Sequence, residues 1–187
     1  MKKELTRCAW CNSSELYQKY HDEEWGVPVY EDQKLFEFLL LETFQAGLSW
    51  ITILNKRENF RTAFDGFNYK KIALYSEDKI QDLLQDSGII RNQLKIRSAV
   101  SNAIAFMKVQ DEFGSFSKYI WDFVDGKPII NDRINLSEVQ ATTPLSDAIS
   151  KDLKKRGFKF VGSTVVYAHM QATGMVDDHV AHCWKRN

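Results

Sequence analysis

Cysteine and histidine gather at the two ends of this 187-residue chain, with Cys8, Cys11 and His21 near one terminus and His179, His182 and Cys183 near the other. Thiolates and imidazoles are the donors of a closed, four-ligand zinc site. His179 and Cys183 are four positions apart, a spacing that puts both on one face of a helical turn. All three cysteines of the chain belong to this set, and their odd number argues against a disulfide framework. Cys8-Ala-Trp-Cys11 also has the spacing of a redox pair, but the βαβ pattern that accompanies such pairs is missing. No His-Glu-x-x-His string is present, so the expected metal is structural, with no open catalytic position.

Aromatic side chains with polar tips crowd the same region: Trp10, Tyr17, Tyr20, Trp25 and, one helix later, Trp50. Such rings stack on flat, charged ligands as readily as they fill a core. Glu42 interrupts the apolar run Leu35 to Leu41. An acid there either faces water at a helix end or is a functional carboxylate in a pocket. Gly47 allows a tight turn in Gln45-Ala-Gly-Leu-Ser-Trp50, and that turn would bring Leu48 and Trp50 beside Glu42.

Helices must position these groups, because apolar residues recur at spacings of three and four almost throughout. The pattern predicts helices over 32–45, 48–64, 77–85, 92–113, 115–124, 146–156 and 163–173. Asp32, Asn68, Ser76, Asn92, Ser146 and Ser163 are the expected N-caps, and Gly88, Gly157 and Gly174 the expected left-handed stops. Period-two alternation is almost absent, so the expected fold class is all-α. The chain reads as one unit of two helical lobes, a middle lobe over about 67–115 and a second uniting the N- and C-terminal segments.

Lysine plus arginine equals aspartate plus glutamate at 25 each, so any polyanion must be held by a local patch. One candidate patch is the turn Asp86 to Arg91 between two predicted helices. Its backbone N–H groups and the start of the following helix suit a phosphate, with Arg91, Lys95 and Arg97 nearby. An ordinary helical hairpin with a solvated basic face is the competing reading, and the basic run Lys151 to Lys159 is a second candidate. No uncharged apolar run approaches the roughly 18 residues of a membrane span, and the first residues lack a signal-peptide pattern. A cytoplasmic address is expected.

Cys8-Ala-Trp10, Tyr20-His-Asp-Glu-Glu-Trp-Gly-Val-Pro28, Gln45-Ala-Gly-Leu-Ser-Trp-Ile51, Lys56-Arg-Glu-Asn-Phe60, Gly88-Ile-Ile-Arg91, Lys154-Lys-Arg-Gly-Phe-Lys-Phe-Val-Gly162 and His179 together resemble the constitutive 3-methyladenine DNA glycosylase I family. The likeness covers nearly the whole chain. It implies a helix-hairpin-helix glycosylase fold over 1–187, with a structural zinc tying the termini. It also implies hydrolytic excision of 3-methyladenine from double-stranded alkylated DNA by a monomer without lyase activity. The implied zinc ligands are Cys8, His21, His179 and Cys183, with Cys11 the rival to His21. The implied base pocket is Trp10, Tyr17, Tyr20, Trp25, Glu42 and Trp50, with Glu42 the catalytic candidate. Expected DNA contacts are Gly47, Leu48, Ser49, Gly88, Ile89, Arg91 and Lys95. Two other classes fit some residues: a zinc-stabilised DNA-binding module without chemistry, and a metal-dependent nuclease built on Asp22, Glu23 and Glu24.

Overall fold

Leu35 to Phe44 are buried without a break, so the helix carrying them, α2 (Asp32–Gln45), runs through the middle of the molecule. The computed structural model describes residues 5–186. Among them, helix α1 (Glu15–Glu23) precedes α2, and α3 (Trp50–Ala63), α4 (Tyr69–Ile72), α5 (Glu77–Gln85), α6 (Gln93–Phe113), α7 (Phe116–Asp122), α8 (Pro144–Lys155) and α9 (Ser163–Ala172) follow it. Short 3-10 turns lie at Ala9–Cys11, Asp65–Phe67 and Leu136–Glu138.

The fold is mostly helical, as the periodicity predicts. One addition is a parallel pair of two-residue strands, β1 (Ile129–Ile130) and β2 (Val176–Asp177), in register Ile129 to Val176 and Ile130 to Asp177. Two residues cannot display an alternation, which is why the pattern does not reveal them. Helix α1 is also unforeseen, since its sequence is mostly polar and only Tyr20 and His21 are buried. Ser14 caps it, accepting from Tyr17 N at 3.2 Å.

Helix α2 packs on α3, α6, α7 and α9. Aromatic rings interlock at its contact with α6 and α7: Phe36 and Phe106 are 5.1 Å apart between centroids, and Phe106 and Phe116 4.2 Å. Edge-to-face and stacked pairs of this kind add to the stabilisation from burial.

Several caps stand where expected. Asn68, Ser76 and Asn92 accept from the first turns of α4, α5 and α6. Asp32 instead is the first residue of α2, and its carboxylate accepts from Phe116 N at 2.9 Å and Ser117 N at 2.7 Å. It therefore caps α7, a helix 84 positions away, where the carboxylate also meets the positive end of the helix dipole. Ser146 is the third residue of α8 in a capping box with Thr143, and Ser163 follows the uncapped Gly162. Gly157 and Gly174 are left-handed, at φ 97° and 68°, whereas Gly88 is not; the C-cap of α5 is Asp86, whose Oδ1 accepts from Gly88 N.

Gly174 brings the two ends of the chain together. A Cβ there would overlap the backbone of Val27 and Pro28, so only glycine lets the start of the C-terminal segment lie against the approach to α2. Gly26 N donates to Gln171 O, Val29 N to Thr173 O, and Trp184 N to Thr6 O.

Candidate functional site

Helices α1, α2, α3 and α9 enclose a cavity of about 230 Å³. Its walls include Trp10, Tyr17, Tyr20, Trp25, Glu42 and Trp50, so the structure gathers all six expected pocket residues around one space. Trp10 lies 4.8 Å from Tyr17 and 5.0 Å from Trp25, and Tyr20 lies 5.4 Å from Trp50, between ring centroids.

Glu42 is 3% exposed, although it sits only three residues from the end of α2. Its Oε2 and the indole Nε1 of Trp50 are buried without a hydrogen-bond partner among the described residues. Unpaired buried polar atoms are costly and point to a ligand. Burial pushes the Glu42 carboxyl up to about 8. The Tyr20 hydroxyl is held well above its ordinary value, first by burial and then by the nearby Glu42 and Glu24. A cation entering beside Glu42 would draw its proton off and be stabilised by the resulting carboxylate.

Gln45, Leu136, Val139, Ala168 and Gln171 complete the lining, and sequence reasoning missed them. Gln45 adjoins the Gly47 turn and was within reach. Ala168 and Gln171 arrive because α9 packs on α2, and Leu136 and Val139 by chain crossing, since β1 pairs with β2 and Arg133 bridges to Val180 ahead of the 3-10 turn at Leu136–Glu138.

Cys8, His21 and Cys183 are buried, and their donor atoms all lie within 4.8 Å of one another, a group able to hold a metal ion. His21 Nε2 is 3.4 Å from Cys183 Sγ. Its Nδ1 is 2.8 Å from Asp22 Oδ1. A carboxylate accepts, so Nδ1 carries the proton and Nε2 keeps its lone pair. His179 repeats the arrangement, with Nδ1 2.7 Å from Asp177 Oδ1 and Nε2 buried without a partner among the described residues. The two imidazole rings are 5.0 Å apart. Cys8, His21 and Cys183 thus fit a metal, with a carboxylate behind His21; His179, the fourth expected ligand, is not in that three-residue group, although its ring adjoins that of His21. Cys11 lies outside the three-residue group; its Sγ is 3.1 Å from Cys8 O. His182 is exposed.

The expected DNA contacts divide. Gly47, Leu48 and Ser49 form an exposed turn between pocket residues Gln45 and Trp50, with Gly47 at φ 83°. Arg91 is exposed beside the turn that joins α5 to α6. Ile89 is 3% exposed, so its side chain supports that turn from inside, and its N–H donates to Asp86 O within the turn. Gly88 O accepts from Lys56 Nζ and Asn59 Nδ2. Lys95 must be corrected: it is 6% exposed, and Nζ donates to Phe44 O at 2.8 Å and Ala46 O at 2.6 Å. The free carbonyls at the end of α2 hold the ammonium there, and it is not placed to meet a phosphate. Asp22, Glu23 and Glu24 likewise do not form an acidic centre: Asp22 pairs with Arg7 and Glu24 with Arg57, while Glu23 is exposed.

The methyladenine glycosylase family model matches residues 10–186, and the chain belongs to that family. It is 48% identical over 179 residues to DNA-3-methyladenine glycosylase 1 of Escherichia coli K12, covering 96% of each chain. It is 49% identical over 178 residues to DNA-3-methyladenine glycosylase of Haemophilus influenzae, covering 95% of this chain and 96% of the relative. A crystal structure of 3-methyladenine DNA glycosylase I superposes with a TM-score of 0.95 at 48% identity, over 97% of this chain and all of that one. A Staphylococcus aureus 3-methyladenine DNA glycosylase I, studied for its recognition of 3-methyladenine, superposes with a TM-score of 0.94 at 34% identity, covering 99% and 98%. Among the described residues, no helix is long and apolar enough to cross a membrane.

Proposed function

We propose that this chain is a DNA-3-methyladenine glycosylase that flips the damaged base from double-stranded DNA and hydrolyses its N-glycosidic bond, leaving an abasic site. The observation that carries this reading is the unpaired Glu42 Oε2 and Trp50 Nε1 in an aromatic cavity of base size. Methylation at N3 gives adenine a positive charge, which weakens the glycosidic bond and makes the base a good leaving group. The enzyme's main tasks are then extraction and discrimination. Tryptophan and tyrosine faces attract the cationic ring, at roughly 0.5 to 2 kcal/mol. Glu42 accepts from the exocyclic amine and, once ionised by the neighbouring charge, stabilises the cation. No lysine faces the pocket among its lining residues, in keeping with a hydrolytic enzyme that makes no Schiff base.

The exposed turn Gly47-Leu48-Ser49 at the cavity mouth and the turn at Gly88, Ile89 and Arg91 are the proposed DNA contacts. In this reading α5 and α6 form a helix-hairpin-helix, the centre of a DNA-gripping lobe over about 67–115, and the rest of the chain is the zinc-containing lobe. Cys8, His21, His179 and Cys183 would hold a zinc ion. When bound, zinc supplies a structural cross-link between the ends, without a vacant position for chemistry. That link fixes α1 through His21, and Tyr20 of the pocket with it. One chain lines the whole cavity, so a monomer suffices. The bacterial DNA glycosylases among the relatives support a cytoplasmic setting.

The test is chromatography of the supernatant after the protein has acted on methylated DNA. Free 3-methyladenine together with abasic sites supports the reading. DNA cut with its bases intact and abolished by chelator would replace it with a nuclease, and binding without release would leave a recognition module.

A further inference from the structure

Gln171 follows Ala168 by three positions on α9, and both line the cavity. Its amide is held in one sense, because Nε2 donates to Asp178 Oδ2 at 2.8 Å. Asp178 is 1% exposed. The same Oδ2 accepts from the Tyr167 hydroxyl at 2.6 Å, and Oδ1 accepts from Asn131 Nδ2 at 2.8 Å and Arg133 Nε at 3.2 Å. With four donors facing it, this carboxylate has only acceptors to offer. Turning the Gln171 amide over would set its oxygen against Oδ2, so the amide stays as it is. Oε1 is left as an acceptor, and among the described residues no donor reaches it.

We infer that Gln171 Oε1 is a second acceptor for the flipped base, held in place by Asp178 as a positioning residue. This inference rests on the pocket reading above and deepens it. A cationic N-alkylated purine would meet two acceptors from different helices, Glu42 on α2 and Gln171 on α9, with the unpaired donor Trp50 Nε1 in the same cavity. The negative end of the Gln171 carbonyl dipole favours the charged base over neutral adenine even where the hydrogen-bonding edges are alike. Asp178 serves a second wall as well. Through Asn131 and Arg133 it holds the segment that leads to Leu136 and Val139 of the lining.

The probe is free 3-methyladenine titrated into the full-length, metal-loaded protein and followed by quenching of the pocket tryptophans, with fold and metal content matched between variants. Gln171→Met keeps the bulk and removes the acceptor, and should weaken binding roughly tenfold or more. Asp178→Asn introduces a donor toward position 171, lets the amide turn over, and should fall to a similar level. In the double variant Asp178→Asn with Gln171→Glu, the new carboxamide can donate to one carboxylate oxygen while the other restores an acceptor to the pocket. Binding should recover to the wild-type level or better, which a merely structural role for Asp178 would not produce. Unchanged binding in Gln171→Met, or no recovery in a folded double variant, overturns the inference. Failure of the wild-type protein itself to bind 3-methyladenine would overturn the pocket reading instead.

Discussion

The ammonium of Lys95, on the first turn of α6, sits 2.6 Å from the carbonyl oxygen of Ala46, just past the end of α2. It joins the helix that follows the turn at Gly88 to the exposed turn beside the pocket. Burial lowers the Lys95 pKa, and the two carbonyl acceptors offset part of that cost. Lys95→Met should therefore destabilise the protein by about 1–3 kcal/mol and loosen residues 46–49, while leaving the salt dependence of DNA binding unchanged. Arg91→Glu should do the reverse, flattening the plot of log affinity against log salt because fewer counterions are released. Equilibrium unfolding in urea and DNA binding at several salt concentrations check both halves.

Glu42→Gln should fold and lose excision of 3-methyladenine. The wild-type protein should show a rising acid limb in kcat/KM with an apparent pKa of about 8, the value burial imposes on Glu42. The limb in kcat should lie lower, because the bound cation favours the carboxylate. Stability runs the other way. The folded carboxyl titrates above its unfolded value, so its stabilising effect is fully present below the unfolded pKa and is lost as pH rises through about 8. The Gln variant should be more stable than wild type at pH 9 and lack that loss, as urea midpoints across pH would reveal.

Trp50→Ala should weaken binding of 3-methyladenine by about 1–3 kcal/mol through lost stacking. Its indole is 9% exposed and faces Tyr20 across the cavity. A calorimetric titration of the free base measures the change, and an unaltered affinity would return Trp50 to the core.

His21→Ala and Cys183→Ser should each bring metal content below one ion per chain and lower the melting temperature. Cys11→Ser should retain both, since the Cys11 thiol is engaged with the carbonyl oxygen of Cys8 at 3.1 Å. Elemental analysis beside thermal melts distinguishes the sets, and full metal in the His21 variant with loss in the Cys11 variant would exchange the fourth ligand. Chelation of the wild-type protein should lower the melting temperature, and added zinc should restore it.

The sequence alone determined the helices that carry a strong apolar stripe, with α2 and α5 foreseen to their end residues, and it singled out the six pocket residues because aromatic and acidic types are conspicuous in a run of fifty. Local pattern could not reveal α1, whose polar turns are held in place by contact with α3 and by the Arg7–Asp22 pair. Nor could it tell that Asp32 caps α7, that Lys95 turns inward to α2, or that Leu136, Val139 and Gln171 close the cavity. Those facts depend on which distant backbone groups are left unpaired when the helices pack, and on which side chain lies near enough to satisfy them. The ligand candidates at the two termini were legible as residue types; the choice among them was not, because it depends on where the crossing at Gly174 brings the ends together. Residue type and spacing state what chemistry a side chain can perform, while burial and the partners available in three dimensions decide whether it performs it.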